Sequence, residues 1–214
     1  MKTVFRVVAF TLCLSCFTYM LIPHLDPNSS GLLGFWRYLT KWGLTVNLVL
    51  SFNALLNELR PRIPVSDTLL SIALPMNTMI LLLYWGLYAI DPYLVNSGEP
   101  SPWYLEYYLH LGMIVFTWIE ALAFTRPFRN HTRTILASSS VACIYIAFVE
   151  FVVIPYEASY PYPFLGRLSE LQLPAFYIGV VAFSLLLFAT SKLISNRIWS
   201  SERQYELIHE NTQK

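Results

Sequence analysis

Apolar residues gather in six long runs, roughly 4–23, 36–58, 67–90, 107–124, 135–156 and 174–194, with short polar or Pro-rich segments between them. About 20 mostly apolar residues in a helix cross the ~30 Å of hydrocarbon in a bilayer, and each run meets or nearly meets that length. None of the runs alternates with the period of two that marks a barrel strand. Backbone groups in lipid must be paired within the spanning segment, which leaves helices as the reading. The pattern predicts an all-α membrane protein: a bundle of about six transmembrane helices over residues 1–199, then a polar tail over 200–214 that is solvated, frayed or disordered. Pro75 falls inside the third run, where a kink is the expected cost.

Charge orients the bundle. Lys2, Arg6, Arg60, Arg62, Arg126, Arg129, Arg133, Lys192, Arg197, Arg203 and Lys214 are 11 of the 14 basic residues and fall on one side of a six-span topology. By the positive-inside rule that side, with both termini, is cytosolic. Arg37, Lys41 and Arg167 remain on the other side, where Trp36, Tyr38, Trp42, Trp103, Tyr104, Tyr107, Tyr108, Tyr156, Tyr160 and Tyr162 cluster at span ends as an interfacial aromatic belt does. The sequons starting at Asn28 and Asn130 fall on opposite sides in this topology. The first run follows Lys2 and Arg6 but lacks a small-residue cleavage site, so it reads as an uncleaved signal anchor. An endomembrane location follows, with the endoplasmic reticulum as default and vacuolar or plasma membrane compatible.

Composition narrows the partners. The 214 residues are 56% hydrophobic and 13% charged, with net charge +1, against roughly 25% charged residues in a soluble domain. The balance gives no basic patch for nucleic acid, so lipids and the membrane are the expected partners. Cys13, Cys16 and Cys143 lie in apolar runs without metal or disulfide spacing, and His24, His110, His131 and His209 show no ligand spacing either. Neither a metal nor a cofactor is expected.

Polar groups within spans carry the candidate chemistry, because they are expensive in lipid unless partnered. In the second run Thr40, Gly43, Asn47, Ser51 and Ala54 recur every three or four residues and make one small, polar helix face. His110, Met113, Thr117 and Glu120 make a comparable face in the fourth. Thr40 and His110 both sit near the start of their spans, which puts them at one depth on the lumenal side. Glu120, ten residues beyond His110, is ~15 Å deeper. Glu150 and Asp91 come to the level of His110 in this topology, and either carboxylate is placed to orient it in a nucleophile–base–acid set. Asn47 and the backbone near Gly43 are the nearest candidates for oxyanion donors. Interhelical hydrogen bonding is the commonest role of such groups.

Several short segments, in order, resemble the androgen-induced gene family of membrane proteins. They are Trp36-Arg37-Tyr38-Leu39-Thr40, Tyr88-Ala89-Ile90-Asp91, His110 ten residues before Ile119-Glu120, Tyr162-Pro163-Phe164-Leu165, and Ile198-Trp199. The resemblance implies an intramembrane hydrolase for fatty-acid esters of hydroxy fatty acids, with Thr40 as nucleophile and His110 as its base. Two features depart from the family: the segment between the second and third spans is short, and the stretch before His110 reads Glu106-Tyr107-Tyr108-Leu109 in place of a second histidine. The competing expectation is a non-catalytic lipid-binding or regulatory membrane protein, or a proton-coupled carrier relaying through His110, Glu120 and Glu150.

Overall fold

The computed structural model describes residues 1–26, 28–29, 31–95 and 102–212, so Ser30 of the first sequon and the last two residues of the tail lie outside it. Among the described residues every regular element is helical. In chain order these are α1 (Lys2–Leu21), α2 (Gly31–Trp36), α3 (Leu39–Leu59), α4 (Asp67–Ile90), α5 (Trp103–Phe124), α6 (His131–Glu157) and α7 (Gln172–Thr212). Helices α1 (with the 3₁₀ turn after it), α4, α5, α6 and α7 are each long and apolar enough to cross a membrane. The residues expected to form a polar tail continue α7 as far as Thr212.

Helix α3 differs from those five. Its 21 residues reach ~31 Å at 1.5 Å per residue, but it carries Lys41, Asn47, Asn53, Asn57 and Glu58. It tolerates them because it packs against α1, α2, α4 and α5 and presents its polar face to other helices. Gly43 sets the approach of α4: a Cβ there would stand 2.7 Å from Ile80 Cδ1 and 3.2 Å from Asn77 Oδ1. Small residues permit this kind of contact between membrane helices. Around it Asn47 Nδ2 donates to Asn77 Oδ1 (3.1 Å), Asn77 Nδ2 to Thr117 Oγ1 (2.9 Å) and Thr117 Oγ1 to Asn47 Oδ1 (2.9 Å). This closed ring of hydrogen bonds ties α3, α4 and α5 at mid-height.

The two ends of the bundle are built differently. At the end where α3 and α5 begin, α6 stops at Ala158, which takes the left-handed conformation (φ 53°) usually left to glycine. That turn sends residues 159–165 back across the bundle. Arg37 holds them there, pairing with Glu157 and donating to Tyr160 O (2.8 Å). Exposed Tyr93, Trp103, Tyr104, Tyr107 and Tyr156 surround this end. At the opposite end the segment between α5 and α6 is fastened by Asp67, whose carboxylate accepts from the N–H groups of Arg129 (3.1 Å) and Asn130 (3.2 Å).

Helices α5 and α6 each contain widened π-type turns, at Tyr108–Gly112, Glu120–Phe124 and Val149–Val153. Each turn holds one of the ionisable residues His110, Glu120 and Glu150. Such single-turn insertions re-aim side chains and are frequent at functional positions.

Candidate active site

Thr40 is the second residue of α3 and His110 lies in the first π-type turn of α5. The fold brings them together across 70 residues of chain, with Thr40 Oγ1 3.5 Å from His110 Nε2 and both side chains buried. The other imidazole nitrogen faces Glu106, one helical turn earlier. Nδ1 lies 3.0 Å from the Glu106 main-chain oxygen and 3.2 Å from its carboxylate Oε2. Both neighbours are acceptors, so the proton of the neutral ring belongs on Nδ1 and Nε2 presents a lone pair to Thr40.

Tyr84 of α4 completes the support. Its ring lies flat on the imidazole, 3.4 Å between centroids and 4° between planes, and its hydroxyl donates to Glu106 Oε2 at 2.7 Å. The imidazole is thus fixed in plane by the glutamate and against rotation by the tyrosine. Lys41, buried beside Thr40, adds a positive charge near Glu106 while its ammonium rests 5.8 Å from the centre of the Phe35 ring.

Thr40 also lines a cavity of about 90 Å³ that lies between the starts of α3 and α7, the later turns of α4, the middle of α6 and the segment that crosses over them. Its walls are hydrocarbon and aromatic ring, from residues such as Met79, Leu83, Ile146, Val149, Phe164 and Val180, apart from the hydroxyls of Thr40, Tyr84, Tyr145, Tyr162 and Tyr177. Thr40, backed by an imidazole, therefore stands at the wall of an apolar space.

The remaining candidates are engaged elsewhere. Asn47 directs its amide N–H groups at Gly43 O (2.8 Å) and Asn77 Oδ1 (3.1 Å) within the mid-height ring. Asp91 accepts from Tyr93 N (2.9 Å) and lies 4.0 Å from Arg167. Glu150 accepts a 2.5 Å hydrogen bond from Tyr177. Glu120, at the far end, pairs with Arg6 at 2.5 Å. The carboxylate that meets His110 is Glu106, and helical spacing alone would have suggested it, since residues four apart share a face. Helical spacing gives no signal for Tyr84 or Tyr162, because both arrive from other elements, although Tyr162 stands in the family-like segment Tyr162-Pro163-Phe164-Leu165.

Among the described residues no three His, Cys, Asp or Glu side chains gather as metal ligands would. The family model for FAR-17a/AIG1-like proteins matches residues 1–196. The chain belongs to the FAR-17a/AIG1-like family. It is also similar to a UPF0641 membrane protein of Schizosaccharomyces pombe, 27% identical over 158 residues that cover 70% of each chain. No solved structure matches it. As a FAR-17a/AIG1-like protein it is an integral membrane protein, in keeping with its apolar helices.

Proposed function

We propose that this FAR-17a/AIG1-like protein is an intramembrane hydrolase of lipid esters, with Thr40 as nucleophile, His110 as general base and Glu106 as the group that orients the base. The observation that carries the reading is the buried Thr40–His110 contact of 3.5 Å, backed by the half-buried Glu106 carboxylate 3.2 Å from the imidazole, with Thr40 at the wall of an apolar cavity. Hydroxyl–imidazole pairs of this kind are often long without substrate and tighten when it binds.

In the proposed reaction the acyl chain lies in the cavity with its ester carbonyl against Thr40 Oγ. As the Oγ–carbon bond forms, the Thr40 proton passes to His110 Nε2, and Glu106 accepts a hydrogen bond from the imidazolium Nδ1–H. Collapse of the tetrahedral intermediate breaks the bond to the alcohol oxygen, which takes the proton from Nε2 and leaves. Water then attacks the acyl-threonine ester and gives its proton to Nε2. The second collapse returns that proton to Thr40 Oγ and releases the carboxylic acid.

Fatty-acid esters of hydroxy fatty acids are the substrate class that the family resemblance brings, and an apolar cavity suits their chains. With both termini cytosolic, the site would face the lumenal leaflet, where water reaches the ester near the interface. Hydrolysis of such an ester by purified protein in liposomes tests the reading: wild type releases free hydroxy fatty acid, and Thr40→Ala and His110→Ala do not. Intact ester with wild type, bound but not cleaved, would instead favour the non-catalytic lipid-binding reading.

A further inference from the structure

A threonine and an imidazole leave one requirement of ester hydrolysis open. When Thr40 attacks, the carbonyl electron pair moves onto oxygen, and in a dry site that charge needs hydrogen-bond donors aimed at it. Neither Asn47 N–H is available, since both are committed to Gly43 and Asn77.

Two tyrosines converge on the start of α3. The N–H of Leu39, the residue before Thr40, points at the hydroxyl oxygens of both Tyr145 and Tyr162, 3.1 Å from each. Tyr145 then donates its own proton to Arg37 O at 2.9 Å. No backbone carbonyl or carboxylate among the described residues takes the proton of Tyr162. Its oxygen also lies beside the hydroxyls of Tyr145 and Thr40, and its ring shares the cavity wall with Thr40. With Leu39 N–H occupying one side of the oxygen, the phenolic proton is directed away from it.

The ring is also held in place. Tyr162 meets Tyr38 edge to face at 5.7 Å and stacks on Phe164 at 6.1 Å between centroids. Arg37 anchors the segment just before it through Glu157 and Tyr160. Burial pushes the phenol above the ordinary tyrosine range, so it keeps its proton at neutral pH.

We propose that Tyr162 is a catalytic residue, the oxyanion donor that hydrogen-bonds the carbonyl oxygen of the ester as Thr40 attacks it. This assignment rests on the hydrolase reading given above. Tyr162 transfers no proton. It shares one in a hydrogen bond while the electron pair resides on oxygen, and the bond weakens when the pair returns to carbon and the alcohol leaves. The first N–H groups of α3, which have no acceptors within the helix, add positive potential at the same place.

The test compares Tyr162→Phe and Tyr145→Phe in purified full-length protein, with a fatty-acid ester of a hydroxy fatty acid as substrate. Each substitution removes one hydroxyl from Leu39 N–H and leaves the ring, and Tyr145→Phe also loses the bond to Arg37 O, so a merely structural role predicts a loss at Tyr145 at least as large as at Tyr162. The assignment predicts a kcat lower by roughly 10²- to 10³-fold for Tyr162→Phe with KM little changed, and a far smaller loss for Tyr145→Phe. A long-chain trifluoromethyl ketone, which forms a charged adduct with the nucleophile, loses affinity for Tyr162→Phe in step with kcat/KM, while an uncleavable amide analogue binds as before. Tyr162→Phe with wild-type kcat, in protein where Thr40→Ala is inactive, overturns the assignment alone. A wild type that leaves the ester intact overturns the hydrolase reading and the assignment together.

Discussion

Two buried polar clusters occupy opposite ends of this bundle, and their difference separates chemistry from construction. At one end Arg6 of α1, 1% exposed, donates to Glu120 Oε2 (3.1 Å) and Oε1 (2.5 Å), Ala54 O (3.2 Å), Asn57 Oδ1 (2.9 Å), Glu58 Oε1 (2.8 Å) and Thr125 Oγ1 (3.2 Å). The guanidinium is fully engaged and joins α1, α3 and α5. At the other end the Thr40–His110 contact is long, the base is held on its far side by Glu106 and Tyr84, and Thr40 lines a cavity. A saturated network makes a latch. A supported base beside a nucleophile with room in front of it makes a candidate active site.

If that division is right, substitutions at the two ends fail in different ways. The largest effect is expected at Thr40→Ala or His110→Ala, where ester hydrolysis drops on the order of 10⁴-fold while the thermal unfolding midpoint in detergent stays close to wild type. Steady-state hydrolysis and thermal unfolding of one preparation check both halves. Arg6→Ala should do the reverse, costing about 3–5 kcal/mol because it leaves Glu120 buried and unpaired. Replacing both partners, Arg6→Met with Glu120→Leu, restores much of that stability, and the folded fraction keeps wild-type specific activity. An Arg6→Ala protein that is stable but inactive would erase the distinction between the clusters.

Smaller effects sharpen the division. Glu106→Gln lowers kcat roughly 10- to 100-fold, less than the ~10⁴ known for an acid-to-amide change in a hydrolase triad. The reason is that the Glu106 main-chain oxygen still holds Nδ1–H at 3.0 Å. Steady-state rates of Glu106→Gln against Glu106→Leu measure the share borne by the carboxylate position. Gly43→Val, which drives a side chain into Ile80 and Asn77, costs about 1–3 kcal/mol by overpacking. It sits between the two clusters, so denaturation should register it before any change in KM does.

The helical membrane fold was legible in the chain because spanning length and apolar character are local properties. The run at 67–90 predicts α4 to the residue, and the small polar stripe of α3 does face its neighbours. The position of Thr40 and His110 within their runs predicts one depth for both, and the structure sets them 3.5 Å apart. Other features depend on contacts between elements that no period encodes. Arg6 reads as a flanking charge of a signal anchor until Glu120, 114 residues later, is found against it. The π-type turns that carry His110, Glu120 and Glu150 shift the helical register locally, which sequence spacing cannot register. Glu106 is within reach of helical spacing, whereas depth alone favours Asp91 and Glu150, whose partners are Tyr93 with Arg167 and Tyr177.

The central claim is that Thr40 is a nucleophile activated by His110, and covalent capture tests it most directly. Purified protein is treated with a long-chain fluorophosphonate, and the adduct is located by mass spectrometry of proteolytic peptides. The account predicts a single phosphonylated site at Thr40, lost in His110→Ala at equal protein level. Labelling at another residue, or undiminished labelling in Thr40→Ala, would contradict it.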